Sequence, residues 1–224
     1  MNNLMFYISF GFESLAFFAG LLLFNKLYPK SLRWLVFLLL ITVINEGFSF
    51  WGIYNFLRIK NTFTFVVFFI LQSLVYWLVF RSVFREWRYR ILLNSLILFF
   101  IFLEIISVVF VGIEKFNPLF IDAACLHIVS IAFLYYQFYY RSNAKINFQK
   151  NPFFWLSTGM IFVNFIELFF VNATFVPSFS NSISSVLVFK SINTFGNIVY
   201  YSLIIYAFIC SSRLQQQVTI SSVP

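Results

Sequence analysis

The chain has 224 residues, of which 62% are hydrophobic, only 10% are charged and 36 are phenylalanine. A water-soluble domain of this size exposes more surface than so few charges can cover, so a soluble fold is excluded. The net charge of +8 raises nucleic acid as a partner, but the basic residues alternate with long apolar runs instead of forming a patch, and that excludes it.

Seven apolar runs of about 20 residues, the length that crosses a bilayer as a helix, follow one another: Leu4–Phe24, Trp34–Leu57, Thr62–Phe80, Ile91–Val111, Leu119–Tyr140, Phe153–Phe175 and Ser185–Ile209. The connections are short, and nothing outside the runs is long enough to bury a core of its own. A built-in kinase, nuclease or nucleotide-binding domain is thereby excluded. The expected organisation is all-α: one seven-helix transmembrane domain over residues 1–212 and a short cytoplasmic tail over 213–224.

Charge fixes the expected orientation. Lys26, Lys30 and Arg33 follow the first run, Arg81, Arg85, Arg88 and Arg90 the third, Arg141, Lys145 and Lys150 the fifth, and Arg213 the last. The alternate connections carry only Arg58, Lys60 and Lys115. The positive-inside rule then puts the N-terminus outside and the C-terminus in the cytoplasm. The excess charge is explained by topology, with anionic lipid as a further contact.

Run one opens "MNNLMFYISF", with no basic n-region and no small-residue cleavage site after it, and is read as a retained helix. Ser9, Glu13, Ala16 and Gly20 recur on one face, small enough to admit a neighbouring helix closely. In run two, Thr42, Asn45, Glu46 and Ser49 fall at i, i+3, i+4 and i+7, one helix face. Run three carries Gln72 near mid-depth and no charge, and run four carries Glu104.

Run five holds Asp122, Cys125 and the only histidine, His127. Asp122 and His127 are about 140° apart on a helical wheel, so they do not share a face. Cys125 and Cys210 fall near opposite faces of the membrane, so neither a disulfide nor a redox pair is expected. In run six Ser157, Met160, Asn164 and Glu167 form a stripe, and in run seven Lys190, Asn193, Asn197 and Tyr201 do the same.

Five of the seven acids, Glu13, Glu46, Glu104, Asp122 and Glu167, thus sit within apolar runs. Ionisable groups at membrane depth cost at least a few kcal/mol each (about 2.5–3.5 on insertion scales) and face the bundle interior or a wet cavity. With the N-terminus outside, most of these groups fall in the outer half of the bundle. An outward-facing polar pocket is expected, with Glu46, Glu167 and Lys190 first among its candidates. Glu13, Glu104, Asp122, His127, Gln72, Asn193 and Asn197 stand behind them. Plainer roles remain beside this one: amides as helix–helix hydrogen-bonding groups, Asp122 and Lys190 at the interface, and His127 as a packing residue.

Several chemistries are excluded. One histidine cannot furnish an intramembrane zinc site, so no metal is expected. No serine stands in a nucleophile elbow, and no Gly-rich phosphate loop occurs. A lysine in the last of seven runs raises a retinal Schiff base. Microbial rhodopsins place an aspartate four residues before that lysine, where this chain has Val186, and their third helix carries charge where "TFTFVVFFILQSLVYWLVF" has none. No cofactor is expected. At a constant offset, Trp34, Leu35, Glu46 and Phe48 match Trp155, Leu156, Glu167 and Phe169, a faint echo of the parallel repeats in 3+1+3 transporters.

The stretches "FNKLYPKSLRWLVFLLLITVINEGFSFWG", "KNPFFWLSTGMIFV" and "INTFGNIVYYSLIIYAFIC" resemble a family of small seven-span integral membrane proteins common in Bacteroidota. They share its basic loop before span two, the acid within that span, the Asn-Pro-x-x-Trp start of span six and the Asn-rich final helix. The resemblance implies a bacterial inner-membrane location and, from gene neighbourhoods shared with sensor kinases, a signalling partner. The expected function is a non-enzymatic, receptor-like or accessory subunit with a partner on the Arg81, Arg85, Arg88 and Arg90 loop. A small-solute or proton-coupled transporter and an assembly scaffold are the alternatives.

Overall fold

The structure, a computed structural model, describes residues 2–52, 61–112, 118–141, 148–174 and 183–221. Arg58, Lys60, Lys115 and Lys145 lie outside the described residues. There is no strand among the described residues; the helices are α1 (Asn2–Leu23), α2 (Arg33–Phe50), α3 (Asn61–Arg81), α4 (Trp87–Val111), α5 (Pro118–Arg141), α6 (Pro152–Thr174) and α7 (Ile183–Ser221). Six of them, α1, α2 and α4 to α7, are long and apolar enough to cross a membrane, while the apolar stretch of α3 is the shorter Val66–Arg81. Large apolar side chains such as Leu22, Phe99, Phe102, Phe110 and Phe169 are exposed on the outside of the bundle, a surface that fits lipid and not water.

Helix ends follow from local chemistry. Gly112 ends α4 at φ +86°, and Gly52 turns the chain after α2 at φ +69°, conformations that favour glycine. The Asn-Pro-x-x-Trp segment starts α6. Asn151 Oδ1 accepts the Phe153 N–H at 3.0 Å, its Nδ2 donates to the Tyr135 hydroxyl at 2.7 Å, and Trp155 Nε1 donates to the Gln149 carbonyl at 3.0 Å. Pro152 takes the first helical position, where no N–H is needed. This segment therefore caps α6 and ties it to α5. At the other end of the chain, α7 continues through Ser221, so helix extends over residues 213–221, expected to form a tail. Arg, Leu and Gln are good helix formers, although their hydropathy ends the apolar run.

Packing contacts arrange six helices in a closed ring in the order α1, α2, α3, α5, α6, α7 and back to α1. The remaining helix, α4, packs outside the ring against α3 and α5. Glycines permit the closest approaches. A Cβ at Gly20 would lie 2.8 Å from the Phe208 ring and 2.9 Å from Val36, one at Gly159 would lie 3.1 Å from Tyr200, and one at Gly196 would lie 2.8 Å from Ile166. Gly20 belongs to the small-residue stripe of α1, whose Glu13 and Ala16 are also buried.

The loops that carry most of the basic residues meet at one end of the bundle. Ser211 Oγ bonds both the Tyr28 N–H (2.7 Å) and the Tyr28 carbonyl (2.9 Å), Ser31 and Ser82 hydroxyls pair at 2.6 Å, and Cys210 Sγ reaches the Gln149 carbonyl at 3.5 Å. Beneath them the ring interior is filled. Phe80 packs edge-on against Tyr135 (5.7 Å) and Phe153 (5.8 Å), with Leu32, Phe84 and Phe208 fully buried around them.

Gly20→Val is expected to overpack the α1–α2–α7 junction and lower stability by about 1–3 kcal/mol. Gly11→Ala has no atom within 4 Å to meet and should leave stability unchanged or slightly raised. Thermal unfolding in detergent measures both, and equal effects of the two would contradict the ring packing.

Candidate functional site

Above the packed aromatic layer the ring encloses a cavity of about 310 Å³, to which each of the six ring helices contributes. Glu13 comes from α1, Thr42, Asn45 and Glu46 from α2, Gln72 from α3, Ile121 from α5, Asn164 and Glu167 from α6, and Asn193, Asn197, Tyr200 and Tyr201 from α7. The polar stripes read from α1, α2, α6 and α7 thus converge, because a helix in lipid hides its costly polar face inside the bundle.

The three carboxyls form an electrostatic chain, with Glu46 interacting with both Glu13 and Glu167. Tyr201 hydrogen-bonds the Glu13 carboxyl on one side, while Glu13 Oε2 is buried without a partner among the described residues. Gln72 Oε1 is buried and unpartnered in the same way. The Tyr200 and Tyr76 hydroxyls hydrogen-bond each other, which joins α7 to α3 beneath the cavity. Tyr76 is completely buried. Neither Tyr76 nor Tyr200 was expected from the polar pattern: run three shows no polar stripe around Tyr76, and the stripe of run seven passes through the neighbouring Tyr201.

Lys190 lines a second cavity of about 290 Å³, together with Ser9, Thr194 and residues of the α1 N-terminal half. Glu13, Glu46, Asn193 and Asn197 line both spaces, so they form the wall between them. Among the described residues no carboxylate makes an ion pair with Lys190, and the lysine is half-buried. It faces acids across a cavity without closing on any of them.

Glu104, Asp122 and His127 do not line the cavity; for Glu104 and His127 the reason is the position of α4. Glu104 sits on that helix, outside the ring, one turn from Phe100. His127 of α5 points toward α4 and stacks on Phe100, with ring centroids 4.7 Å apart and planes 14° from parallel. Both side chains are buried, and both Glu104 oxygens lack partners among the described residues. Asp122 faces α6 at the bundle surface, where its Oδ1 accepts the Asn172 Nδ2 at 3.0 Å.

Chemically, the site combines carboxyls, amides and tyrosine hydroxyls with an aromatic wall that includes Phe68, Phe69 and Phe170. Among the described residues no three His, Cys, Asp or Glu side chains converge as metal ligands do. Three carboxyls around one low-dielectric space need a compensating proton or cation. No family model, curated protein or solved structure matches the chain.

The Tyr76–Tyr200 bond is testable by a double-mutant cycle. Tyr76→Phe and Tyr200→Phe should show a coupling of about 1 kcal/mol in unfolding free energy, the scale of a buried neutral hydrogen bond. Strict additivity would show that the two hydroxyls do not interact.

Proposed function

We propose that the chain is a receptor-like binding subunit of a bacterial cytoplasmic membrane that catalyses no reaction itself. It holds a ligand in the six-helix cavity and passes the binding signal to a separate protein on its basic loops. The single observation that supports this reading is that the cavity is one-sided. Its polar groups occupy one half of the ring, and the half beneath the basic loops is filled by Phe80, Phe84, Tyr135, Phe153 and Phe208. A space closed at one end suits binding from the other.

In this reading α3 is the seventh crossing, the N-terminus is outside and the basic loops face the cytoplasm. The charge asymmetry supports that orientation, and Trp34, Trp87 and Tyr140, exposed at helix ends, suit an interfacial belt. The resemblance to the Bacteroidota family supports a signalling partner. Proton-coupled transport is the second reading, favoured by the offset-matched Glu46 and Glu167 facing one cavity. It requires the aromatic layer to open, and flux into proteoliposomes abolished by Glu46→Gln and Glu167→Gln would establish it over the receptor reading.

Asn197→Cys, in a chain with Cys125 and Cys210 replaced by alanine, measures the opening directly. A membrane-impermeant maleimide should label it from the face opposite the basic loops and not from the basic face. Labelling only from the basic face would overturn the reading. For the partner, in-cell crosslinking from a photoreactive residue at Arg85 or Arg88, both exposed, should trap one protein; an empty result from both sites would sink the signalling role.

A further inference from the structure

We infer that the ligand of this cavity is a small organic amine, its ammonium group held among Glu13, Glu46 and Gln72 and its apolar part against the aromatic wall. This rests on the reading of the cavity as a ligand site and adds what the site selects.

The argument begins with sign. Glu13, Glu46 and Glu167 line the cavity, and the only cation nearby among the described residues, Lys190, lines the neighbouring space instead. Hydrogen-bond polarity points the same way. The two buried cavity atoms left without partners among the described residues are Glu13 Oε2 and Gln72 Oε1, and both are acceptors. Glu13 is only 5% exposed. With Glu13 ionised, a ligand that satisfies both donates hydrogen bonds, and beside a carboxylate the best donor is charged.

Size and dispersion then separate an organic cation from an inorganic one. The carboxyls do not converge into a metal-type ligand set. A bare ion would also leave most of about 310 Å³ unfilled, a volume at the lower end of small-molecule pockets. Part of the wall is aromatic. Phe68, Phe69 and Phe170 approach from α3 and α6, and Tyr200 from α7. Aromatic faces attract cations and cover apolar groups at the same time. An alkyl or arylalkyl ammonium matches each of these features, whereas an anion would meet the carboxyls with like charge and a neutral sugar would leave them without a compensating cation.

The test uses the full chain in proteoliposomes with the Asn197→Cys reporter. Phenethylamine should slow maleimide labelling, while 2-phenylethanol, of the same shape but uncharged, and sodium or potassium chloride at equal ionic strength should not. Glu13→Gln and Glu46→Gln should each raise the protecting concentration about tenfold or more, the effect of losing one charged hydrogen-bond partner. If Glu13→Gln fails to fold at its buried position, the half-exposed Glu46→Gln carries the test. Labelling that persists unslowed, or is slowed equally by the alcohol or by the salts, overturns the amine and leaves the pocket standing. No labelling of Asn197→Cys from either face removes the pocket, and the amine falls with it.

Discussion

The packing of α7 against α1 and α6 closes the six-helix ring, and the cavity exists only because that closure is made. In a bilayer, apolar side chains gain nothing by leaving water, so helices associate through close van der Waals contact and hydrogen bonds. Gly20 against Phe208, Gly159 against Tyr200 and Gly196 against Ile166 supply that contact. Glu13, Glu46 and Glu167 stand on three different helices and share one space because these junctions hold. The aromatic layer of Phe80, Tyr135 and Phe153 then sets how deep the space can reach.

Most of the helices were legible in the sequence because a backbone in lipid must satisfy its own hydrogen bonds, and long apolar runs leave no other solution. The inward faces of α1, α2, α6 and α7 were legible for a related reason. Polar residues at helical spacing, such as Thr42, Asn45 and Glu46 or Asn193 and Asn197, have to meet other protein. Periodicity does not reveal which helix stands outside a ring. Glu104 looks like Glu46 in sequence, yet α4 packs outside the ring against α3 and α5, and its carboxyl does not line the cavity. His127 and Asp122 follow it, one turned toward Phe100 and the other toward Asn172. The helix of α7 runs on past the apolar run that ends at Ile209 because hydropathy falls there while helix propensity does not. Tyr76 and Tyr200 were hidden because their pairing joins two helices, which periodicity within one helix does not show.

Charge is sorted along the bundle in a way that connects topology to binding. Among the described residues most arginines and lysines gather at the loops of one end, and Arg33 and Arg81 rest over the rings of Phe24 and Trp77. The carboxyls that line the cavity lie on the far side of the aromatic layer. A segregated arrangement of this kind leaves the cavity short of positive charge, with Lys190 beside it and not within it. That deficit is the basis of the amine selectivity proposed for the cavity, and the aromatic layer separates the cavity from the basic loops.

Glu46 faces Glu167 across the ring while Glu104 stands outside it. Paired cysteine substitutions, made after replacing Cys125 and Cys210 with alanine and treated with a short bifunctional thiol reagent, test this arrangement most directly. Glu46→Cys with Glu167→Cys should crosslink, and Glu46→Cys with Glu104→Cys should not. The reverse pattern would contradict the ring and the cavity together.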